Sequence, residues 1–219
     1  ANYKVPYSIR SKIPEKVLIV GSGTGNDTAY ALERGVSHID AVEIDPAIIH
    51  IGKKYHPQRP YHSKKVNVIQ NDARNFIQHT KNKYDLIVYG MLDSHSSLSG
   101  KGGIRLDSYV YTVESFKEAR KTLTNDGYLS LSFNLSEAQL GFKIYAMLTE
   151  AFDGKEPLVI SFFEQSIDKF KMQPYAFLIG KNIDKNFKIE KSNVNQVTFF
   201  GNKSELSKID ISTDNWPFF

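Results

Sequence analysis

The sequence predicts an α/β fold in which helices cover both faces of a mainly parallel sheet of seven strands. One observation is a series of short apolar segments, rich in branched residues, with the composition of strands buried on both faces. Another is the alternation of these segments with amphipathic or helix-capped ones, which is typical of βαβ units. Together they indicate a Rossmann-like, doubly wound sheet. The predicted strands are 17–20, 39–44, 66–69, 84–89, 128–133, 158–163 and 175–180.

Composition limits the classes of function. The 219 residues include 41% hydrophobic and 24% charged side chains, with a net charge of +4 and no cysteine. These values are ordinary for one globular domain, and the missing thiols exclude disulfides and thiolate catalysis. Because the lysines are scattered, nucleic-acid binding is not indicated. No apolar run approaches the roughly 20 residues of a membrane span, so we expect a cytoplasmic protein.

We divide the chain into three parts. Residues 1–15 form a lead-in segment, 16–181 form the Rossmann-like domain, and 182–219 form a C-terminal extension that packs on the core or joins a missing segment. Trp216 is interpreted as an apolar plug against the core or as such a junction. The chain starts at Ala1 without methionine and ends on apolar residues, so we expect both ends to be cut.

A glycine-rich turn follows the first predicted strand, in the stretch KVLIVGSGTGND. Gly21, Gly23 and Gly25 allow a tight turn and a close approach between backbone and ligand. Asn26 or Asp27 is expected to cap the following helix, whose N-terminal amide groups would face the same ligand. This strand, turn and helix predict a nucleotide-binding cradle, with a turn that binds nothing as the alternative.

Polar residues at the ends of the next strands extend this cradle. Glu43 lies about 20 residues beyond the glycines, where a carboxylate can accept both ribose hydroxyls of a nucleotide. Asp72 follows the third strand, and residues 90–93 follow the fourth. Because ligands bind outside the carboxyl ends of parallel strands, we expect these groups to meet at one rim. The Ser- and Gly-rich stretch 91–107 is expected to form a lid over that rim.

With these motifs the chain resembles the class I S-adenosylmethionine-dependent methyltransferase superfamily, and within it the spermidine synthase-like group. GSGTGND at 21–27 resembles the cofactor loop of that group, and VEIDP at 42–46 resembles its ribose-binding strand end. NDARNF at 71–76 resembles the segment that contacts adenine, and YDLIVYGMLDS at 84–94 resembles the fourth strand with its catalytic turn. The resemblance covers residues 15–135.

The resemblance implies S-adenosylmethionine, or decarboxylated S-adenosylmethionine, as the cofactor. It also implies a small-molecule acceptor, which is an amine in the polyamine-forming members, and it leaves a homodimer open. Asp93 is the implied catalytic residue. The implied cofactor-binding residues are Gly21, Ser22, Gly23, Gly25, Asn26, Asp27, Glu43, Ile44, Asp72, Ala73, Tyr89 and Gly90.

The match is closer still to spermidine synthase-like domains within multi-spanning membrane proteins. Such domains carry segments similar to MLDSHSSLS at 91–99, RLDSYVYTVESF at 105–116 and TDNWPFF at 213–219. In that group the last of these segments lies close to membrane helices. The resemblance therefore implies an excised cytosolic domain of an integral membrane protein, with membrane-spanning segments outside this chain.

Gly90 departs from the spermidine synthase pattern. In that group an aspartate at the equivalent point deprotonates the attacking amine, and only the second acid of the turn remains here, as Asp93. Because an amine is mostly protonated near neutral pH, aminopropyl transfer needs a base within reach. We therefore favour methyl transfer to an unknown acceptor. Polyamine aminopropyl transfer is the first alternative, and a non-catalytic S-adenosylmethionine-binding sensor domain of a membrane protein is the second.

Several of these residues have plainer interpretations. Asp72 is suited to capping the next helix, and Asp93 is as well suited to a turn as to a chemical role. The histidines at 50, 56 and 62 share no face of a helix or strand, so no metal site is expected. A dinucleotide oxidoreductase is disfavoured because the third glycine of GxGxxG is not at its usual place.

Overall fold

Eight strands form one mixed sheet in the computed structural model, which describes residues 2–90, 106–135, 138–161, 173–183, 195–197 and 209–217. The strands are β1 (Lys16–Val20), β2 (His38–Glu43), β3 (Val66–Gln70), β4 (Tyr84–Tyr89), β5 (Leu123–Leu135), β6 (Leu158–Ser161), β7 (Gln173–Gly180) and β8 (Asn195–Val197). The α-helices are α1 (Asn26–Glu33), α2 (Pro46–Tyr55), α3 (Ala73–His79), α4 (Val113–Lys121) and α5 (Ala138–Ala151). Short 3-10 helices cover Asn2–Tyr7, Pro60–His62 and Leu106–Tyr111.

The order of the strands across the sheet is β3-β2-β1-β4-β5-β7-β6-β8. β1 to β5 are parallel, whereas β7 runs antiparallel between β5 and β6, and β8 pairs antiparallel with β6. The Rossmann-like, mainly parallel sheet predicted from the sequence is confirmed, and β8 adds a three-residue strand at its edge. The order changes direction between β1 and β4, which is the switch point where ligands bind in such sheets.

Helices cover the sheet on both sides, so the central strands are buried on both faces. Along β1, Leu18 and Val20 face the side that carries α3, α4 and α5. Val17 and Ile19 face the opposite side, where α1 packs. All four side chains are fully buried. Each such burial contributes roughly 1.5–3 kcal/mol, which is why an unbroken apolar run predicted this strand correctly.

Several strand boundaries differ from the prediction by one or more residues. β2 ends at Glu43, and Ile44 lies beyond it with 53% of its surface exposed. β5 begins at Leu123 instead of at residue 128, and its pairing with β4 is irregular near its start. There a Cβ on Gly127 would lie 2.6 Å from the carbonyl oxygen of Tyr84, so the glycine permits the irregular pairing. The last two residues of the predicted strand 158–163 lie outside the described residues.

The lead-in segment packs on the side of the sheet that carries α1. Its 3-10 helix, Asn2–Tyr7, buries Val5 and Tyr7 against the core. The hydroxyl of Tyr128 in β5 donates a hydrogen bond to the carbonyl oxygen of Pro6 at 2.6 Å. This bond and the buried side chains attach the segment to the sheet. Among the described residues, no helix is long and apolar enough to cross a membrane.

The C-terminal residues 209–217 contact the amino-terminal ends of α3 and α4. Arg74 donates a hydrogen bond to Asp214 at 2.8 Å, and the hydroxyl of Thr112 donates to the other oxygen of the same carboxylate at 2.7 Å. Trp216 is 53% exposed, so it does not form the apolar plug that the sequence suggested. Polar contacts to the Asp214 carboxylate and apolar packing of Ile211 against the core thus hold this segment together.

Candidate cofactor and active site

The turn between β1 and α1 has a backbone that glycine adopts most easily. The φ angle is 64° at Gly21, 57° at Gly23 and 105° at Gly25, all in the region that other residues avoid. Space is also restricted at Gly25, where a Cβ would lie 2.8 Å from Cγ of Pro60. Both the backbone angle and the close neighbour therefore require glycine at this position.

The side chain of Tyr61 contacts the glycine turn. The sequence did not indicate a role for this residue. Its hydroxyl oxygen lies 2.6 Å from the carbonyl oxygen of Gly23 and 2.8 Å from Oγ of Ser22. Burial raises the pKa of Tyr61 to about 12, so the hydroxyl keeps its proton and can donate it. The surrounding stretch 55–65 has two prolines and no period, so nothing in the sequence connected Tyr61 to a turn some 40 residues earlier.

Glu43 connects the end of β2 to the glycine turn. One oxygen of its carboxylate accepts a hydrogen bond from the amide of Gly23 at 2.8 Å, and the other accepts from the amide of Asp45 at 3.0 Å. The residue is 7% exposed. Because both oxygens are held by backbone amides, the carboxylate has a fixed position at the rim. The structure thus brings Glu43 to the turn, as the spacing of the sequence motifs suggested.

Asp72 caps α3 at the end of the neighbouring strand. Its side chain accepts a hydrogen bond from the amide of Asn75 at 2.8 Å, and Ala73 is the first residue of the helix. The amide of Asn71 donates to the carbonyl oxygen of Glu43 at 3.1 Å, which holds the ends of β2 and β3 together. Glu43 and Asp72 therefore lie at the same edge of the sheet, next to the exposed Ile44.

Tyr89 and Gly90 lie at the end of β4, beside the start of the glycine turn. The backbone of Tyr89 pairs with Val20, but its side chain is fully buried against Phe116, at a ring separation of 5.7 Å. A Cβ on Gly90 would lie 3.9 Å from the carbonyl oxygen of Gly21. The ring of Tyr89 is therefore part of the core, and only its backbone faces the rim.

The first two residues of α1 do not cap it, so the predicted cap by Asn26 or Asp27 is wrong. A side-chain cap comes from the N-cap residue itself, and here that residue is Gly25, which has no side chain. The side-chain oxygen of Asn26 lies 3.1 Å from Nε2 of His56. Asp27 instead points across the switch point, and its Oδ2 lies 3.0 Å from the position that a Cβ on Gly90 would occupy.

Among the described residues at the rim, Asp27 has the carboxyl group whose pKa is shifted furthest from its ordinary value. Burial raises its pKa from 3.8 to about 6. Among the residues that the structure describes, no hydrogen-bond donor or cation pairs with this side chain. The sequence suggested Asp27 as a cofactor contact, but gave no sign of its position beside Gly90, 63 residues further along the chain.

Comparison with known proteins agrees with this geometry. Residues 5–141 match the spermine/spermidine synthase domain. The chain belongs to this family. The matched residues include β1 to β5 and all the cofactor-binding residues predicted from the sequence, so the resemblance inferred from the motifs is confirmed.

Relatives of this spermine/spermidine synthase family member carry the name polyamine aminopropyltransferase. The protein of Thermoplasma acidophilum is 25% identical over 130 residues, which cover 58% of this chain and 44% of the relative. That of Clostridium botulinum is 32% identical over 129 residues, which cover 57% and 42%. The chain thus matches less than half the length of these relatives. Their names favour the aminopropyl-transfer alternative over the methyl transfer that we inferred from Gly90.

Solved structures of the same fold include a spermidine synthase and a methyltransferase-like protein. Spermidine synthase from Thermotoga maritima superimposes with a TM-score of 0.65 at 21% identity, covering 94% of this chain and 68% of that one. Human methyltransferase-like protein 13 in complex with SAH gives a TM-score of 0.57 at 20% identity, covering 83% and 77%. At these identities the structures establish the shared fold and no particular reaction.

The predicted catalytic residue and most of the predicted lid fall in a part of the chain that the structure leaves out. Asp93 lies outside the described residues, as do all of 91–105. Within the described residues, no group of three His, Cys, Asp or Glu side chains could hold a metal ion. The chemistry that can be argued from the structure therefore rests on the strand ends and on α1.

A groove of about 590 Å³ lies at the amino-terminal ends of β1 and β4, at the opposite ends of the strands from this rim. Its lining includes Pro14 before β1, Asp85 at the start of β4 and Asn182 after β7. Asp85 accepts hydrogen bonds from the amides of Glu15 and Lys16, each at 3.0 Å, so it holds the start of β1 in place. Because parallel sheets bind ligands at the carboxyl ends of their strands, we assign this groove no part in the reaction.

Proposed function

We propose that this protein transfers an aminopropyl group from decarboxylated S-adenosylmethionine to a small amine. The observation that carries the proposal is the Glu43 carboxylate, fixed between the glycine turn and α2 in a member of the spermine/spermidine synthase family. The names of the relatives support aminopropyl transfer as the reaction. This proposal replaces methyl transfer as the leading interpretation.

The residues at the rim fit a nucleoside. Each oxygen of Glu43 uses one lone pair for a backbone amide, and its second lone pair is suited to a ribose hydroxyl. Asp72 caps α3 through one oxygen, so its other oxygen is suited to the amino group of adenine. The exposed side chain of Ile44 offers an apolar surface for the flat face of the base.

The chain's contribution to the reaction is mainly orientation. When bound, the sulfonium group supplies an activated carbon and a thioether leaving group. Holding the nucleoside at Glu43 and Asp72 would orient that carbon toward the switch point between β1 and β4, and fixed geometry of this kind lowers barriers by several kcal/mol. The acceptor amine must be deprotonated, so a base within hydrogen-bond reach of it is needed. Among the described residues, the carboxylate beside Gly90 is that of Asp27.

The test is turnover of the purified chain with decarboxylated S-adenosylmethionine and diaminobutane, measured as released methylthioadenosine. S-adenosylmethionine replaces the decarboxylated form in a parallel reaction. Glu43→Gln removes the charged acceptor, and we expect it to weaken methylthioadenosine binding about 10- to 100-fold. Glu33→Gln removes the same charge at the exposed C-terminal end of α1 and is expected to leave binding unchanged.

Each outcome separates the candidate functions. Release of methylthioadenosine only with the decarboxylated form supports the proposal. Methylation of an acceptor by S-adenosylmethionine, without aminopropyl transfer, would restore the methyltransferase interpretation. Tight cofactor binding without turnover of either kind would refute transfer and indicate a ligand-binding domain.

A further inference from the structure

Asp27 lies in the crevice where the sheet order changes direction. Its carboxylate reaches from the first turn of α1 to the end of β4, and Oδ2 would lie 3.0 Å from a Cβ on Gly90. The carbonyl oxygen of Gly21, from the end of β1, would lie 3.9 Å from that same Cβ. Ligands in sheets of this type bind between these two strand ends. The carboxylate therefore faces the place where the reacting part of a ligand is expected.

The surroundings of this carboxylate supply no positive charge among the described residues. Tyr3, Tyr7 and Tyr61 lie close enough to feel its charge, and the pKa of each phenol is raised, chiefly by burial and also by the charge of Asp27. All three are therefore neutral at physiological pH. Burial raises the pKa of Asp27 to about 6, so near neutral pH the carboxylate is mainly charged. Asp27 is partly buried. A partly desolvated charge without a partner among the described residues is costly, and such groups are candidates for binding a ligand of opposite charge.

Building on the proposed function, we propose that Asp27 binds the primary ammonium group of an amine substrate beside Gly90. The ammonium group would donate to the carboxylate. Glycine at position 90 is part of this arrangement, because a side chain there would push against Oδ2 of Asp27. A carboxylate in this place also disfavours the α-carboxylate of S-adenosylmethionine. It therefore favours the decarboxylated form.

Two amines share this chemistry, the aminopropyl amine of the cofactor and the amine of the acceptor, and calorimetric titration distinguishes them. In one series decarboxylated S-adenosylmethionine is compared with methylthioadenosine, which lacks the amine. In the other, diaminobutane is titrated into the protein saturated with methylthioadenosine. For Asp27→Asn we expect one of the two amines to bind about 10- to 100-fold more weakly, with methylthioadenosine within about twofold of the parent. Whichever series shows the loss identifies the amine.

Gly90→Ala is the second variant, because it keeps the charge of Asp27 and moves the carboxylate. Nothing in the backbone of Gly90 requires glycine, since its φ is not positive. We expect about 3- to 10-fold weaker binding of the same amine, again with methylthioadenosine unaffected. Glu33→Gln, at the other end of α1, is the matched control and should change neither series.

Parent-like binding of both amines by Asp27→Asn would overturn the inference, as would an equal loss of methylthioadenosine binding in that variant. If Asp27→Asn does not fold, parent-like binding of both amines by Gly90→Ala overturns it. These measurements need no turnover. If the parent shows no turnover but Asp27→Asn loses amine binding, aminopropyl transfer is refuted and the inference stands. Normal transfer by Asp27→Asn would refute the inference alone.

Discussion

Replacing Asp27 with asparagine is expected to stabilise the ligand-free protein near neutral pH. Burial raises the pKa of Asp27 from 3.8 to about 6, so the folded protein holds this proton more tightly than the unfolded chain. Stability therefore falls as the pH rises from about 4 to about 6, and the full cost of the partly desolvated charge is present above that window. Asparagine has a similar shape and cannot ionise, so it removes that cost.

The size of the effect follows from the pKa of Asp27. The interval between 3.8 and about 6 corresponds to about 3 kcal/mol, at 1.36 kcal/mol for each pH unit. Asparagine also loses the attraction between a carboxylate and the N-terminus of α1, which is worth about 0.5 kcal/mol. We therefore expect Asp27→Asn to gain about 2–2.5 kcal/mol near pH 7.5, which raises the melting temperature by roughly 5–10 °C.

The measurement is urea unfolding, followed by circular dichroism, of the parent and Asp27→Asn between about pH 4 and about pH 7.5. The gain should disappear near pH 4, where both side chains are neutral. Glu33→Gln, which removes an exposed carboxylate from the same helix, should change stability by less than about 0.5 kcal/mol. No gain near neutral pH, or a gain that persists at pH 4, would show that Asp27 is not a desolvated and unpaired charge.

Two further predictions concern the core and the glycine turn. Tyr84 donates a hydrogen bond at 2.7 Å to Asp40, which is 1% exposed, so Tyr84→Phe should cost about 1.5–3 kcal/mol in urea unfolding without affecting methylthioadenosine binding. A loss below about 0.5 kcal/mol would contradict this account. Gly25→Ala should cost about 1–3 kcal/mol more than Gly35→Ala and should alone weaken methylthioadenosine binding, because a Cβ at 25 meets Pro60 while one at 35 has no neighbour within 4 Å. Equal effects of the two variants would show that backbone angle alone matters.

Features that depend on nearby residues were predicted well. The strands β1 and β4 followed from apolar runs, because a strand buried on both faces must be apolar throughout. The placement of Glu43 beside the turn followed from the short connection through α1. Asp72 was recognised as suited to capping, and it does cap α3. In each case the relevant contacts join residues within one strand–helix–strand unit.

Other features could not be read from the sequence. Nothing in the composition of β6 and β7 shows that β7 inserts antiparallel between β5 and β6, because pairing is decided by the fit of whole strands. Trp216 was interpreted as an apolar plug or as a junction with a missing segment, but 53% of its surface is exposed, and Asp214 and Ile211 hold its segment instead. The contact between Tyr61 and Gly23 was also missed, since the stretch that carries it has no pattern.

By itself, then, the sequence determined the strand–turn–helix unit, the glycine positions and the acidic residues at the rim, because local sterics and spacing within one βαβ unit fix them. Only the tertiary structure decided the direction of β7, the support of the turn by Tyr61, and the position of Asp27 beside Gly90. Those contacts join residues that are far apart in the chain, and they form only when the sheet brings separate units together. The charge of a partly buried carboxylate such as that of Asp27 depends on such neighbours, so the feature that leads to the amine-binding proposal exists only in the folded protein.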